Sequence, residues 1–166
     1  AIGGEGNKIL DGSENALIMG GKDNSLTSAT NSIILGGRGT KAKSANNLAI
    51  IGASETRVPT EGISAPKKEN ILVAGGHGNV VRWSNVVILW EGNNEAGSDS
   101  VLIGRDIKAG SAQKVFVWSD NGTFSPKKSG AFYVNTKNGI WFNTNDPKVK
   151  FDIGGLEGKW AIKIAW

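Results

Sequence analysis

Short apolar runs recur along the first two thirds of the chain, each closed by glycine. The blocks are Asn15-Ala-Leu-Ile-Met-Gly-Gly21, Asn31-Ser-Ile-Ile-Leu-Gly-Gly37, Asn47-Leu-Ala-Ile-Ile-Gly-Ala53 and Asn70-Ile-Leu-Val-Ala-Gly-Gly76. Degenerate copies follow at Asn85-Val-Val-Ile-Leu-Trp-Glu91 and Asp99-Ser-Val-Leu-Ile-Gly-Arg105, and a truncated one opens the chain at residues 1–4. Starts at 15, 31, 47, 70, 85 and 99 give steps of 16, 16, 23, 15 and 14 residues. The long step holds Pro59-Thr-Glu-Gly-Ile-Ser-Ala-Pro-Lys-Lys68, which reads as a surface insertion in one repeat. Such a period is too short for a helix-pair solenoid. Near-continuous apolar runs between turn residues predict strands covered on both faces.

A second strand falls in each repeat, five residues past the second glycine position. Ile9, Leu26, Ala42, Val58, Val81 and Ala96 stand there, all apolar, with mostly polar flanks such as Lys41-Ala42-Lys43. That alternation predicts a strand with one face inward and one in water. The glycine pairs supply turns with positive φ, and the recurring Asn or Asp tolerates the left-handed conformation at the other turn. Stacked coils of this kind make an all-β parallel β-roll, or solenoid, of about seven coils, spanning roughly 30 Å at the usual strand spacing.

The first strand of each repeat is apolar on both faces along most of its length, so one face remains once the other fills the core. Leu17, Met19, Ile34 and Ile51, or their alternates, would form one long apolar stripe. Monomers rarely expose patches beyond a few hundred Å². These four residues are the candidates for packing against copies of the same chain, and an obligate homo-oligomer is expected.

Across residues 1–112 the quartet-Gly-Gly-x-x-Asn-x-φ-x-Ser pattern resembles the head repeats of YadA-type trimeric autotransporter adhesins. The resemblance implies a left-handed parallel β-roll, a homotrimer, and a non-enzymatic adhesin or fibre segment at the bacterial cell surface. The spacing of 16, the insertion at 59–68 and Trp90-Glu91 in place of Gly-Gly depart from the family pattern.

Composition divides the chain near Gln113. Residues 1–113 carry 11 Lys and Arg against 11 Asp and Glu, and residues 114–166 carry 8 against 4, so the whole +4 lies in the second part. All five Phe, the Tyr and four of six Trp stand at or after Phe116. Of the 24 glycines, 18 belong to the first part, where they punctuate turns. Residues 114–166 therefore read as a separate small β-rich domain. Its hairpins are expected at Asp120-Asn-Gly122 and Lys137-Asn-Gly139, with further strands at Ile140–Phe142, Val149–Ile153 and Trp160–Trp166. The stretch from Asn138 to Gly155 resembles a short β-motif of phage tail fibres and bacterial surface fibres, so a phage tail-fibre segment binding a host receptor is the alternative reading. The start at Ala1 and the uncapped final strand suggest a fragment or processed product that continues or pairs with a neighbour.

The candidate chemistry is sparse. There is no Cys, hence no disulfide framework or thiolate catalysis, and no run long enough to insert in a membrane. The strings Gly3-Gly-Glu-Gly6 and Gly75-Gly-His-Gly78 lack the helix a phosphate loop needs. His77 stands alone in a turn, without a metal-ligand set or a triad. No cofactor, metal or catalytic residue is expected. Glu91, Glu95, Asp99 and Asp106 would be the carboxylates of a glycan-cleaving, tail-spike-like enzyme, since two at about 5–9 Å suffice for glycoside hydrolysis. Their interleaving with Arg and Lys reads instead as a solvated face. Lys41, Lys43, Lys67 and Lys68 are candidates for contact with an acidic partner, as are Lys127 and Lys128, and Trp83 for stacking on a sugar or anchoring a protein receptor. Nucleic acid is not expected, because no basic stripe interleaves with aromatics. The resulting expectation is an extracellular fibre segment, on a bacterial surface or a phage virion, that attaches to a surface glycan or protein.

Overall fold

The structure of the chain, a computed structural model, describes residues 1–59 and 67–137. Its elements among these residues are β1 (Lys8–Ile9), β2 (Glu14–Met19), β3 (Ser25–Thr27), β4 (Thr30–Leu35), β5 (Lys41–Lys43), β6 (Ala45–Ile51) and β7 (Arg57–Val58). Then follow β8 (Lys68–Ala74), β9 (Val80–Val81), β10 (Val86–Leu89), β11 (Glu95–Ala96), β12 (Ser100–Gly104), β13 (Phe116–Ser119) and β14 (Phe132–Asn135). The fold is all-β, with no helix among the described residues.

Two parallel sheets alternate along the chain. The long sheet has the order β14-β13-β12-β10-β8-β6-β4-β2, and the short one the order β1-β3-β5-β7-β9-β11. The first six coils contribute one strand to each sheet and the coils of β13 and β14 contribute to the long sheet alone, so the stack is a β-solenoid of about eight turns. Seven strand spacings of about 4.8 Å make the long sheet roughly 34 Å from edge to edge.

The core lies between the sheets. Ile18, Ile34, Ile50, Val73, Ile88, Leu102 and Val117 enter it from the long sheet. From the short sheet come Leu26, Ala42, Val58, Val81 and Ala96, the residues five past the turn. Several of the buried polar residues bond backbone groups. Asn24, fully buried, donates its amide to the Gly36 and Gly37 carbonyls at 3.2 and 3.1 Å and accepts from the Thr40 N–H at 3.0 Å. Asn94 repeats the device, accepting from the Ile107 N–H and donating to the Gly104 carbonyl. The motif asparagine thus ties the turn of one coil to the turn of the next.

The solenoid runs past the compositional boundary. β13 pairs in parallel with β12 and β14 with β13, in the register Val101↔Phe116↔Phe132. The chain leaving Trp118 through Asp120-Asn-Gly122 therefore completes another coil instead of folding back as the expected hairpin. The reason is the period: Phe116 and Phe132 stand 16 residues apart, the step of the early repeats, with aromatics in place of aliphatics. The remaining expectations for 138–166 and the middle of the 59–68 insertion lie outside the described residues. On either side of that insertion the register holds, with Leu48↔Ile71 and Ile50↔Val73.

Candidate functional site

The outward face of the long sheet carries two unbroken apolar rows. Leu17, Ile33, Ala49, Leu72, Val87, Val101, Phe116 and Phe132 align in one, through consecutive strand pairs. Met19, Leu35, Ile51, Ala74, Leu89, Ile103, Trp118 and Val134 align in the other. Successive side chains of a strand point to opposite faces, so these rows flank the buried central residue of each quartet. Met19 is 46% exposed and Ile51 44%.

Of the four expected stripe residues, Leu17, Met19 and Ile51 share this face and Ile34 does not. Ile34 is 0% exposed and fills the solenoid core. It stands three residues after its repeat asparagine, whereas Leu17, Met19 and Ile51 stand two or four after theirs. Ile33 and Leu35 take the outward positions of that coil.

One edge of the face is bounded by an asparagine column. Asn15, Asn31, Asn47, Asn70, Asn85 and Asp99 all have φ between 49° and 56°. Each asparagine amide donates to the next side-chain oxygen, at 2.7–3.4 Å. The other edge is the glycine turn.

The basic candidates are spread over the coil. Lys41 and Lys43 are exposed on β5 of the short sheet, where Lys41 pairs in register with Ser25 and Arg57. Lys67 Nζ donates to Thr30 Oγ1 at 3.2 Å. Lys68 Nζ lies 6.0 Å from the centre of the Trp83 ring, a cation–π distance, and Trp83 is exposed. The structure thus brings Lys68 and Trp83 together and leaves Lys41 and Lys43 on another sheet.

The candidate carboxylates have partners of their own. Glu91 Oε2 lies 3.4 Å from Arg105 Nε, and Glu95 Oε1 accepts from Arg82 Nε at 3.1 Å. Asp99 closes the asparagine column, and Asp106 sits in a turn with φ 54°. His77 Nε2 is 3.4 Å from Glu55 Oε2 at the exposed turn.

One feature of the site escaped sequence reasoning. A cavity of about 290 Å³ is lined by Trp90, Glu91, Gly104, Arg105, Trp118 and Asp120, with Ser119 between the last two. Trp90 holds φ 80° at the position where other coils have Gly20, Gly36, Gly52 and Gly75, all with positive φ. The signal was present in the alignment of repeats, where Trp90 replaces the first turn glycine. Its neighbour two coils on, Trp118, becomes visible only once residues 116–119 are placed in the same solenoid. No protein-family model matches the chain, and comparison with curated proteins and with solved structures gives no match.

Proposed function

We propose that the chain is a segment of a homotrimeric extracellular fibre, on a bacterial surface or a phage virion, that projects and attaches without catalysing a reaction. The observation that carries this reading is the outward face of the long sheet: sixteen aligned positions, every one apolar, with Phe132 69% exposed at one end. Stripes of that length are rarely left in water. Both rows run along the direction of stacking, so copies related by rotation about a parallel axis bring like positions together. A rotation that closes makes a ring. Three copies is the number implied by the resemblance of residues 1–112 to adhesin head repeats.

The attachment reading draws further support from the carboxylates. Glu91 and Glu95 each face an arginine, an arrangement suited to a solvated surface more than to a glycosidase pair. Three copies of one weak surface contact, such as that around Trp83 and Lys68, gain affinity through avidity. Light scattering of the purified chain tests the assembly. A mass three times 17.4 kDa is expected, and a monomer at micromolar concentration would remove the basis of the reading.

A further inference from the structure

We infer that the cleft between Trp90 and Trp118 is a binding site for a neutral saccharide. Trp90 carries the argument. A bulky residue with φ of 80° is an outlier, and such strained conformations cluster at functional sites. Core packing does not offset that strain here, because Trp90 remains 68% exposed. The four glycines at φ 62–75° in other coils show that the turn itself asks for no side chain.

The register makes the cleft. Leu89 aligns with Ile103 and Ile103 with Trp118, so Trp90, Gly104 and Ser119 are successive positions along one column. Gly104 leaves the middle of that column bare. It can hold nothing larger, since a Cβ there would collide with the Ser119 carbonyl. Trp118 stands beside Ser119, two coils from Trp90, and the two indoles line one cavity over the bare Gly104. The cavity sits at the small end of the roughly 300–1,000 Å³ typical of ligand pockets.

The polar lining chooses the ligand. Glu91 and Asp120 supply acceptors and the Arg105 guanidinium supplies donors, within one cleft that is also lined by two indoles. A polyhydroxy ring uses all three: apolar C–H faces against the indoles, hydroxyls against carboxylate and guanidinium. A cationic ligand would meet Arg105, and an anionic one would meet two carboxylates. This site goes beyond the assembly reading: every residue of it comes from one chain, and because Trp118 also stands in one outward row, the site requires that the contact between copies leave the coil of Trp118 open.

The test is an array of immobilised neutral oligosaccharides probed with the full chain and with Trp90→Gly, each checked for mass and thermal midpoint. The variant restores the residue that other coils carry, so its midpoint is expected to equal or exceed that of the parent. Retention by the parent on some neutral sugars, reduced at least tenfold in Trp90→Gly and in Asp120→Ala at unchanged mass, supports the site. No retention by the parent, or equal retention by parent and Trp90→Gly, overturns it. A fall in mass for Trp90→Gly also overturns it, since the cleft would then be a contact between copies.

Discussion

Asn85 donates its side-chain amide to Oδ1 of Asp99 across 2.7 Å, and that bond is the last rung of a column beginning at Asn15. Every member is left-handed, with φ near 50°. The residue must therefore tolerate that backbone and also both donate and accept, which asparagine does and other side chains do poorly. Asp99 only accepts, so it can end the column but could not stand in its middle. The equivalent position of the next coil, Lys114, keeps φ 55° without the amide.

Replacing Asn70 separates those two requirements. It donates to Asn85 at 2.8 Å and accepts from Asn47 at 3.1 Å. Asn70→Gly keeps the backbone and loses the bonds, with an expected loss of about 1 kcal/mol. Asn70→Ala also strains the backbone and is expected to lose about 2–3 kcal/mol. The ordering of thermal midpoints, parent above Gly above Ala, is the check. Equal midpoints for Gly and Ala would mean the positive φ is not required.

The two glycines of a turn differ in the same testable way. At Gly36 a Cβ would meet nothing, whereas at Gly37 it would collide with the carbonyl of Ala53 in the next coil. Gly36→Asn is expected to cost under about 1 kcal/mol, since asparagine accepts left-handed φ. Gly37→Ala is expected to cost about 3 kcal/mol or more, through overpacking added to strain. Urea unfolding of both variants measures the difference. A Gly37→Ala midpoint matching that of Gly36→Asn would place the close approach elsewhere.

The repeat was legible because its two requirements are local. Leu26, Ala42, Val58, Val81 and Ala96 mark the short sheet at a fixed offset from the turn, and all five are buried there. The parity of the long strands was harder. A strand apolar on both faces has no alternation to read, and only the offset from the repeat asparagine, three residues for Ile34 against two for Leu17, separates inward from outward. The end of the solenoid was obscured by composition. Phe116, Trp118 and Phe132 look like a new domain, yet they occupy the outward rows that Leu17 and Met19 begin. The Trp90–Trp118 cleft depends on that continuation, and so no motif in the linear chain announced it.

Thr56 offers a stabilising change. It stands in the column of Asn24, Thr40, Asn79 and Asn94, all buried. Thr40 Oγ1 donates to the Ala53 carbonyl at 3.0 Å, but Thr56 Oγ1 is buried with no hydrogen-bond partner. An unpaired buried hydroxyl costs about 1–3 kcal/mol. Thr56→Val keeps the branched shape without that group and is expected to gain about 1 kcal/mol, or roughly 2–4 °C in thermal midpoint. A lower midpoint would show that the hydroxyl is satisfied in solution.

Adjacent residues of β4 give the sharpest test of assembly, because they point to opposite faces. Ile34 is fully buried in the coil, and Ile33 lies outward between Leu17 and Ala49. Ile34→Glu puts an unpaired charge inside the solenoid, so loss of the β-sheet circular dichroism signal is expected whatever the oligomeric state. Ile33→Glu leaves the core of each coil intact. In an isolated chain its carboxylate would reach water and change little. Around a shared axis it would bring like charges together in an apolar contact, at a cost of several kcal/mol per ion. The expected result for Ile33→Glu is therefore a retained β-sheet signal with the mass falling from threefold to that of one chain. An unchanged threefold mass would put the contact on another surface, and the two apolar rows would then need a different partner.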